Sequence, residues 1–483
     1  MIDTPDRGLA RRVVAMITAD QCHGGGMEGL DLTADLTALT AAEIVSRVHD
    51  GRSSAVDVAR AHLARIAAHD PEIGAFAEHD PERVLAEAGG VDSRADRFAL
   101  PLAGVPVVVP DDVDVAGYPT RHGSAATPTE PARRDDELVK RMRAAGAVVI
   151  GKARMPELAV WGFSHGITRN PLDPTLDPGG SGVAAAVSAR MAVLAIATDG
   201  GGAIRNPAAC CGLVGLKPGP QVVPLPRGAE EHWCGLSATG PVARTAGDAA
   251  LLLGALTKSS VDLDVPGPRR VALSLRVPWP VGRLQPDHRA AAIGAAARLR
   301  AGPGAAVVAF ADPPYPRGLA TQWIRRWQAG VAREAEAIGL DIDAAERRTA
   351  AVVRKGRRVL RLTPPGPAAP AAWRERVLAW MDEGGYDVLL GPATLRPPVR
   401  AGAMVGQGYR TSLLAMATRL PCAPAWNLAG LPAVVAPVLI GSRPVGVQLV
   451  GRPGAEAALL AAAARLERRV VPAGGAAATR VYA

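Results

Sequence analysis

From Leu36 onward the chain alternates two kinds of apolar pattern. In the first, apolar residues return every three or four positions. "SSAVDVARAHLARIAAHD" puts Val56, Ala59, Leu63 and Ile66 on one helical face, with Ser53 or Ser54 available to cap the first turn. "DELVKRMRAAG" and "PDHRAAAIGAAARLRAG" read the same way, and each closes on the glycine that a helix C-terminus favours. In the second pattern the apolar runs are short and continuous: "GVPVVVP", "AVVIGKA", "AVLAIATD", "RRVALSL", "AVVAFADPP", "DVLLGPAT", "AVVAPVLI" and "VGVQLVG". Strands covered on both faces lose the polar alternation of a half-exposed strand. The pattern therefore predicts an α/β fold, a largely parallel sheet with helices on both sides. "TPPGPAAPAA", residues 363–372, is predicted as a loop, because proline at that density suits neither a helix interior nor a strand. The interleaving predicts one extended unit over residues 31–473, between an N-terminal tail, 1–30, and a C-terminal tail, 474–483.

Composition narrows the partners. No stretch approaches the ~20 apolar residues of a membrane span, so no membrane partner is expected. The net charge of +9 is spread along the chain, and with four Phe and five Tyr a base-stacking surface for nucleic acid is not expected. The exception is "ERRTAAVVRKGRRVLR", residues 346–361, where Arg354, Lys355, Arg357 and Arg358 cluster. Such a run is ordinarily an exposed helix face, and the alternative is a docking patch for an acidic protein partner. Cys22, Cys210, Cys211, Cys234 and Cys422 have no framework or metal spacing, which fits reduced thiols in a cytoplasm. No histidine pattern suggests a metal, and no cofactor is expected.

The chemistry concentrates in "TDGGGAIRNPAACCGLVGLKP", Thr198 to Pro218. A glycine-rich turn after an apolar strand aims several backbone N–H groups at one point, where a nucleophile normally stands. Here that place is Ala203, which has none. Cys210 and Cys211 follow closely and read as core packing, and the Asp111, Asp112 and Asp114 cluster reads as turn chemistry.

"LTALTAAEIVSRVHDGRSSAVDVARAHLARI", "LAGVPVVVPDDVDVAGYPTRHGS", "TRNPLDPTLDPGGSG", "ATDGGGAIRNPAACCGLVGLKP", "GLSATGPVARTAGDAALLL", "PAWNLAGLPAVVAPV" and "RPVGVQLVGRPGAEAALL" follow one another in an order that resembles the amidase signature family, from about Leu36 to Val471, about nine tenths of the chain. The resemblance implies an α/β/α sandwich around a large mixed sheet. It also implies cleavage of amides or esters by a serine nucleophile, a relay serine on a cis peptide and a neutral lysine base. On this chain the lysine position is Pro110 and the nucleophile position is Ala203. The relay loop, "GGSSGGSA" in the family, is "GGSGVAAA" here, two residues short, with Ser181 retained. Lys152 and Lys217 match family lysines of structural type.

The resemblance further implies that Asp199, Gly200, Gly201 and Gly202 form an oxyanion-binding turn for a carbonyl or carboxylate ligand. His122 and His165 would then lie near the pocket rim, as general acid or base or as ordinary hydrogen-bonded loop residues. With two of three catalytic groups replaced, the expected function is a repurposed, non-hydrolytic enzyme acting on an amide, acyl or carboxylate small molecule, by ring closure, condensation or rearrangement. The alternatives are a non-catalytic binding or scaffold protein and a hydrolase that uses replacement residues.

Overall fold

A computed structural model describes residues 35–467, apart from 165, 280, 302 and 303. Both expected tails lie outside these residues. Eleven strands form one sheet: β1 (Phe76–Glu78), β2 (Pro106–Pro110), β3 (Val148–Ala153), β4 (Leu194–Asp199), β5 (Val214–Lys217), β6 (Ala238–Ala243), β7 (Arg270–Leu273), β8 (Val307–Phe310), β9 (Val388–Pro392), β10 (Ala433–Ile440) and β11 (Arg443–Gly451). Their order is β1-β3-β2-β4-β6-β5-β10-β11-β9-β7-β8.

All eight continuous apolar runs are strands, but the sheet is mixed and not largely parallel. Only β2 with β3 and β4, and β7 with β8 and β9, run parallel. An apolar run reports burial on both faces and carries no information on direction. β1, β5 and β6 are the strands the pattern leaves out. β6, "ATGPVA", holds Pro241 where only β4 is paired, because the β5 ladder reaches only Val242 and Ala243.

Successive strand residues feed two apolar clusters. Val271, Leu273, Leu390 and Val434 join a large aliphatic core, whereas Ala272, Leu389, Ala433 and Val450 face a second, tryptophan-rich one. Helices therefore cover both faces, giving the sandwich. In the first layer, Ser54 caps the helix Ala55–Ile73 in a reciprocal box with Asp57. The second layer contains the helices Leu319–Ala337, Arg347–Leu362 and Ala368–Gly384. The last begins inside the expected 363–372 loop. Pro370 is tolerated there because the first four N–H groups of a helix have no internal partner.

Among the described residues no helix is long and apolar enough to cross a membrane.

Candidate functional site

β4 ends at Asp199, and the chain turns through Gly200–Ile204 into the helix Arg205–Cys211. Asp199 is fully buried and holds this turn from within. Its carboxylate accepts the N–H groups of Gly202 (2.6 Å) and Ile204 (3.2 Å) and receives both Nε and Nη2 of Arg205 at 2.9 Å. Arg205 continues to Asn427 Oδ1 (2.6 Å) and Gln448 Oε1 (2.8 Å), which ties the turn to the segment before β10 and to β11. Burial alone would raise the Asp199 carboxyl, but the Arg205 charge and hydrogen bonds, with Asn427, hold it at about 2.

Asp199 and Gly202, expected in the ligand-binding set, are therefore the internal brace of the turn. Gly202 has φ +118°, and a Cβ there would lie 2.2 Å from Asn206 Nδ2, so glycine is required by conformation and by space. Gly200, Gly201 and Ala203 are the members that face a cleft. Among the described residues, their N–H groups have no acceptor.

The same cleft is lined by Pro110 at the end of β2 and by Ser181, so the three positions singled out in the sequence converge on one space. Ser181 caps the helix Gly182–Ser188, its Oγ accepting the Val183 N–H at 3.3 Å. No peptide bond among the described residues is cis. Neither buried lysine lines the cleft. Lys152 Nζ donates to Pro119 O (2.6 Å) and Thr120 Oγ1 (2.9 Å) and pairs with Asp111 (3.2 Å). Lys217 Nζ donates to Pro218 O at 2.8 Å, and burial with the nearby Arg205 charge pulls its ammonium down to about 7.

His122 also lies off the cleft. It is buried with Nε2 3.1 Å from Arg227 Nη1, and burial with that guanidinium pushes it to about 3, so it is neutral near pH 7. His165 lies outside the described residues. Burial pushes the Cys210 and Cys211 thiols up, as expected of packing residues.

The opposite wall was not legible in the sequence. Trp323 and Trp327, one turn apart on the helix Leu319–Ala337, stack with centroids 5.4 Å apart, and Trp161 meets Trp327 edge-on at 5.6 Å. Trp323 Nε1 donates to Gly200 O (3.0 Å), and a Cβ on Gly201 would come 2.5 Å from its ring. The wall leaves only about 50 Å³ open to the centre of a water molecule. On the same helix face, Gly330 allows the Trp233 backbone to approach, since a Cβ at 330 would lie 2.3 Å from Trp233 Cα. One turn further, Glu334 Oε2 reaches His232 Nε2 at 3.2 Å, while His232 Nδ1 lies 2.8 Å from Ser237 Oγ.

Five residues that line this cleft carry a buried polar atom with no partner among the described residues: Asp112 Oδ1, Thr198 Oγ1, Asn206 Oδ1, Trp233 Nε1 and Trp327 Nε1. Each such atom costs about 1–3 kcal/mol, and folded proteins keep few of them. Asp111 conforms to the turn reading, accepting the N–H groups of Arg121 (3.3 Å) and Gly123 (3.1 Å). Asp112 does not: it faces the cleft, and burial, opposed by His232 and Arg227, raises its carboxyl to about 6.

Outside the cleft, Arg354, Lys355, Arg357 and Arg358 are exposed on the helix Arg347–Leu362, with Arg354 3.4 Å from Asp343 and Lys355 over the Tyr409 ring.

Comparison with known proteins gives a consistent picture. The family described as Amidase matches residues 57–277 and 368–460. The chain is 39% identical over 464 residues to "Putative amidase AmiB2" of Mycobacterium tuberculosis, covering 90% of this chain and 96% of that protein. It superposes on a 6-aminohexanoate cyclic dimer hydrolase solved with its substrate at a TM-score of 0.77 and 28% identity, covering 90% of this chain and 97% of the other. The peptide amidase of Stenotrophomonas maltophilia matches at 0.73 and 26%, covering 89% and 96%.

Proposed function

The chain belongs to the amidase signature family, and within it we propose a repurposed member. It holds a small amide, acyl or carboxylate molecule at the glycine turn and does not cleave it through positions 110, 181 and 203. The observation that carries this reading is that Gly200, Gly201 and Ala203 line the cleft with N–H groups that have no acceptor among the described residues, while Ala203 and Pro110 beside them have nothing to attack with and nothing to titrate. A ligand oxygen there would take the orphan N–H groups. The remainder of the molecule would lie against the tryptophan wall, within reach of Asp112, Thr198 and Asn206.

Loss of a serine nucleophile or its base costs ~10⁴–10⁶ in rate, so no useful hydrolysis is left to the family route. A condensation, ring closure or rearrangement needs orientation, which a turn braced by Asp199 and Arg205 can supply. A purely structural or scaffolding role gives no reason to leave five polar atoms unpartnered on one cleft, and for that reason it ranks second.

The test is a titration with benzamide, followed by tryptophan fluorescence. Wild-type protein is expected to show saturable quenching. Gly201→Ala, whose new methyl forces Trp323 and the turn apart, is expected to bind at least ~10-fold more weakly. Equal affinity in the two proteins would remove the turn from the binding site.

A further inference from the structure

We propose that Ser237, His232 and Glu334 form a nucleophilic array on this cleft, in which Ser237 Oγ accepts an acyl group from the bound amide or ester. The proposal rests on the reading that the ligand carbonyl sits at the glycine turn, and it supplies the chemistry that positions 110 and 203 no longer can.

Ser237 immediately precedes β6, whose first residue, Ala238, pairs with Asp199 at the end of β4. It lines the cleft at 8% exposure. A methyl group placed on Gly200 would come within 2.9 Å of Ser237 Oγ, so the hydroxyl lies against the turn in which the Gly200, Gly201 and Ala203 N–H groups have no acceptor among the described residues. His232 Nδ1 is 2.8 Å from that hydroxyl. Its other nitrogen faces Glu334 Oε2 at 3.2 Å, and the second oxygen of Glu334 pairs with Arg227 Nη2. A carboxylate can only accept, so the ring proton belongs on Nε2 and the Nδ1 lone pair is left for the serine proton. Stacking on Trp233, with centroids 5.5 Å apart, fixes the ring plane. Burial alone would raise the Glu334 carboxyl, but His232 and Arg227 hold it at about 2, so the orienting charge persists across the physiological range.

Hydroxyl, imidazole and carboxylate in this order meet the general requirement for an activated nucleophile: a base within hydrogen-bond reach, itself oriented by a third group. The step balances without any added redox partner. Ser237 Oγ bonds to the carbonyl carbon as its proton passes to His232 Nδ1, and the carbonyl oxygen becomes an oxyanion facing the N–H groups of Gly200 and Gly201. The C–N or C–O bond then breaks, and the amine or alcohol leaves with the proton from His232. A second amine, an alcohol or water attacks the resulting ester. Its proton returns through His232 to Ser237 Oγ as the acyl group departs. With an amine as acceptor the sum is acyl transfer, a condensation in the sense proposed above. Ser237 and His232 are the catalytic residues, and Glu334 is a positioning residue.

The experiment exposes the full-length protein to an alkyl fluorophosphonate and locates any adduct by peptide mass spectrometry. One adduct per chain on Ser237 is expected, none in Ser237→Ala, and a labelling rate lower by ~10²-fold or more in His232→Gln. For Glu334 the discriminating readout is rescue by the conservative variant: Glu334→Gln, of the same shape but uncharged, is expected to lower the labelling rate by ~10-fold or more, and Glu334→Asp, which keeps the charge, to restore most of it. A rate that follows side-chain shape and not charge would make Glu334 merely structural. An unmodified wild-type protein, or an adduct on Ser181, overturns the proposal. The benzamide titration separates the two readings: binding without an adduct removes the nucleophile and keeps the carbonyl site, and an adduct on Ser237 without binding keeps the nucleophile and removes that site.

Discussion

Asp199→Ala is expected to destabilise the protein by about 3–5 kcal/mol, the range for removing one partner of a buried ion pair, and to abolish benzamide binding. The size follows from what is stranded. Arg205 is 1% exposed and would keep its charge without its carboxylate, and the N–H groups of Gly202 and Ile204 would lose their acceptor. The function follows because Asp199 fixes the direction in which the neighbouring N–H groups of Gly200, Gly201 and Ala203 point. Urea midpoints of Asp199→Ala, Arg205→Ala and the double variant would check this. Each single change strands the other residue, so the double variant should lose much less than the sum of the two. Additive losses would mean that the pair does not act as a unit.

Asp112→Asn is expected to do the opposite and stabilise the free protein, increasingly so as pH rises. The carboxyl is raised from an ordinary 3.8 to about 6 by burial, so the unfolded chain loses its proton before the folded one does. The wild-type side chain is therefore harmless below about pH 4, and stability is lost progressively as pH rises from there through 6. The gain from asparagine should grow from about 0.5 kcal/mol at pH 4 to roughly 3 kcal/mol at pH 8. Chemical denaturation at the two pH values tests it. A gain that is independent of pH would show that Asp112 ionises as freely folded as unfolded. A residue that weakens the free fold near neutral pH, with one carboxylate oxygen unpartnered on a cleft, is understandable as part of a binding surface.

The strands that carry the site were legible because β2, β4, β10 and β11 are long apolar runs with few alternatives. Pro110, Ser181 and Ala203 were picked out by sequence order and resemblance, and all three line the cleft. β5 and β6 were not, because Gly215, Gly240 and Pro241 dilute the strand signal and pairing with long neighbours stabilises them instead. The role of Asp199 was misread for a related reason. The motif "TDGGGAIR" gives the residues of the turn but not which N–H groups the aspartate itself consumes. The His232, Ser237 and Glu334 contact was invisible, since Glu334 arrives from a helix about a hundred residues away and its approach depends on Gly330 having no side chain. The tryptophan wall had a weak signal in the one-turn spacing of Trp323 and Trp327, but that spacing alone describes any buried helix face.

Whether a ligand oxygen sits on the Gly200 and Gly201 N–H groups is read by titrating benzamide into protein labelled with ¹⁵N-glycine and following the assigned amide resonances. Saturable shifts are expected at Gly200 and Gly201, with Gly202 nearly unmoved because its N–H is already held by Asp199 at 2.6 Å. Saturable binding that leaves Gly200 and Gly201 unperturbed, or no binding at all, would contradict that placement of the oxygen.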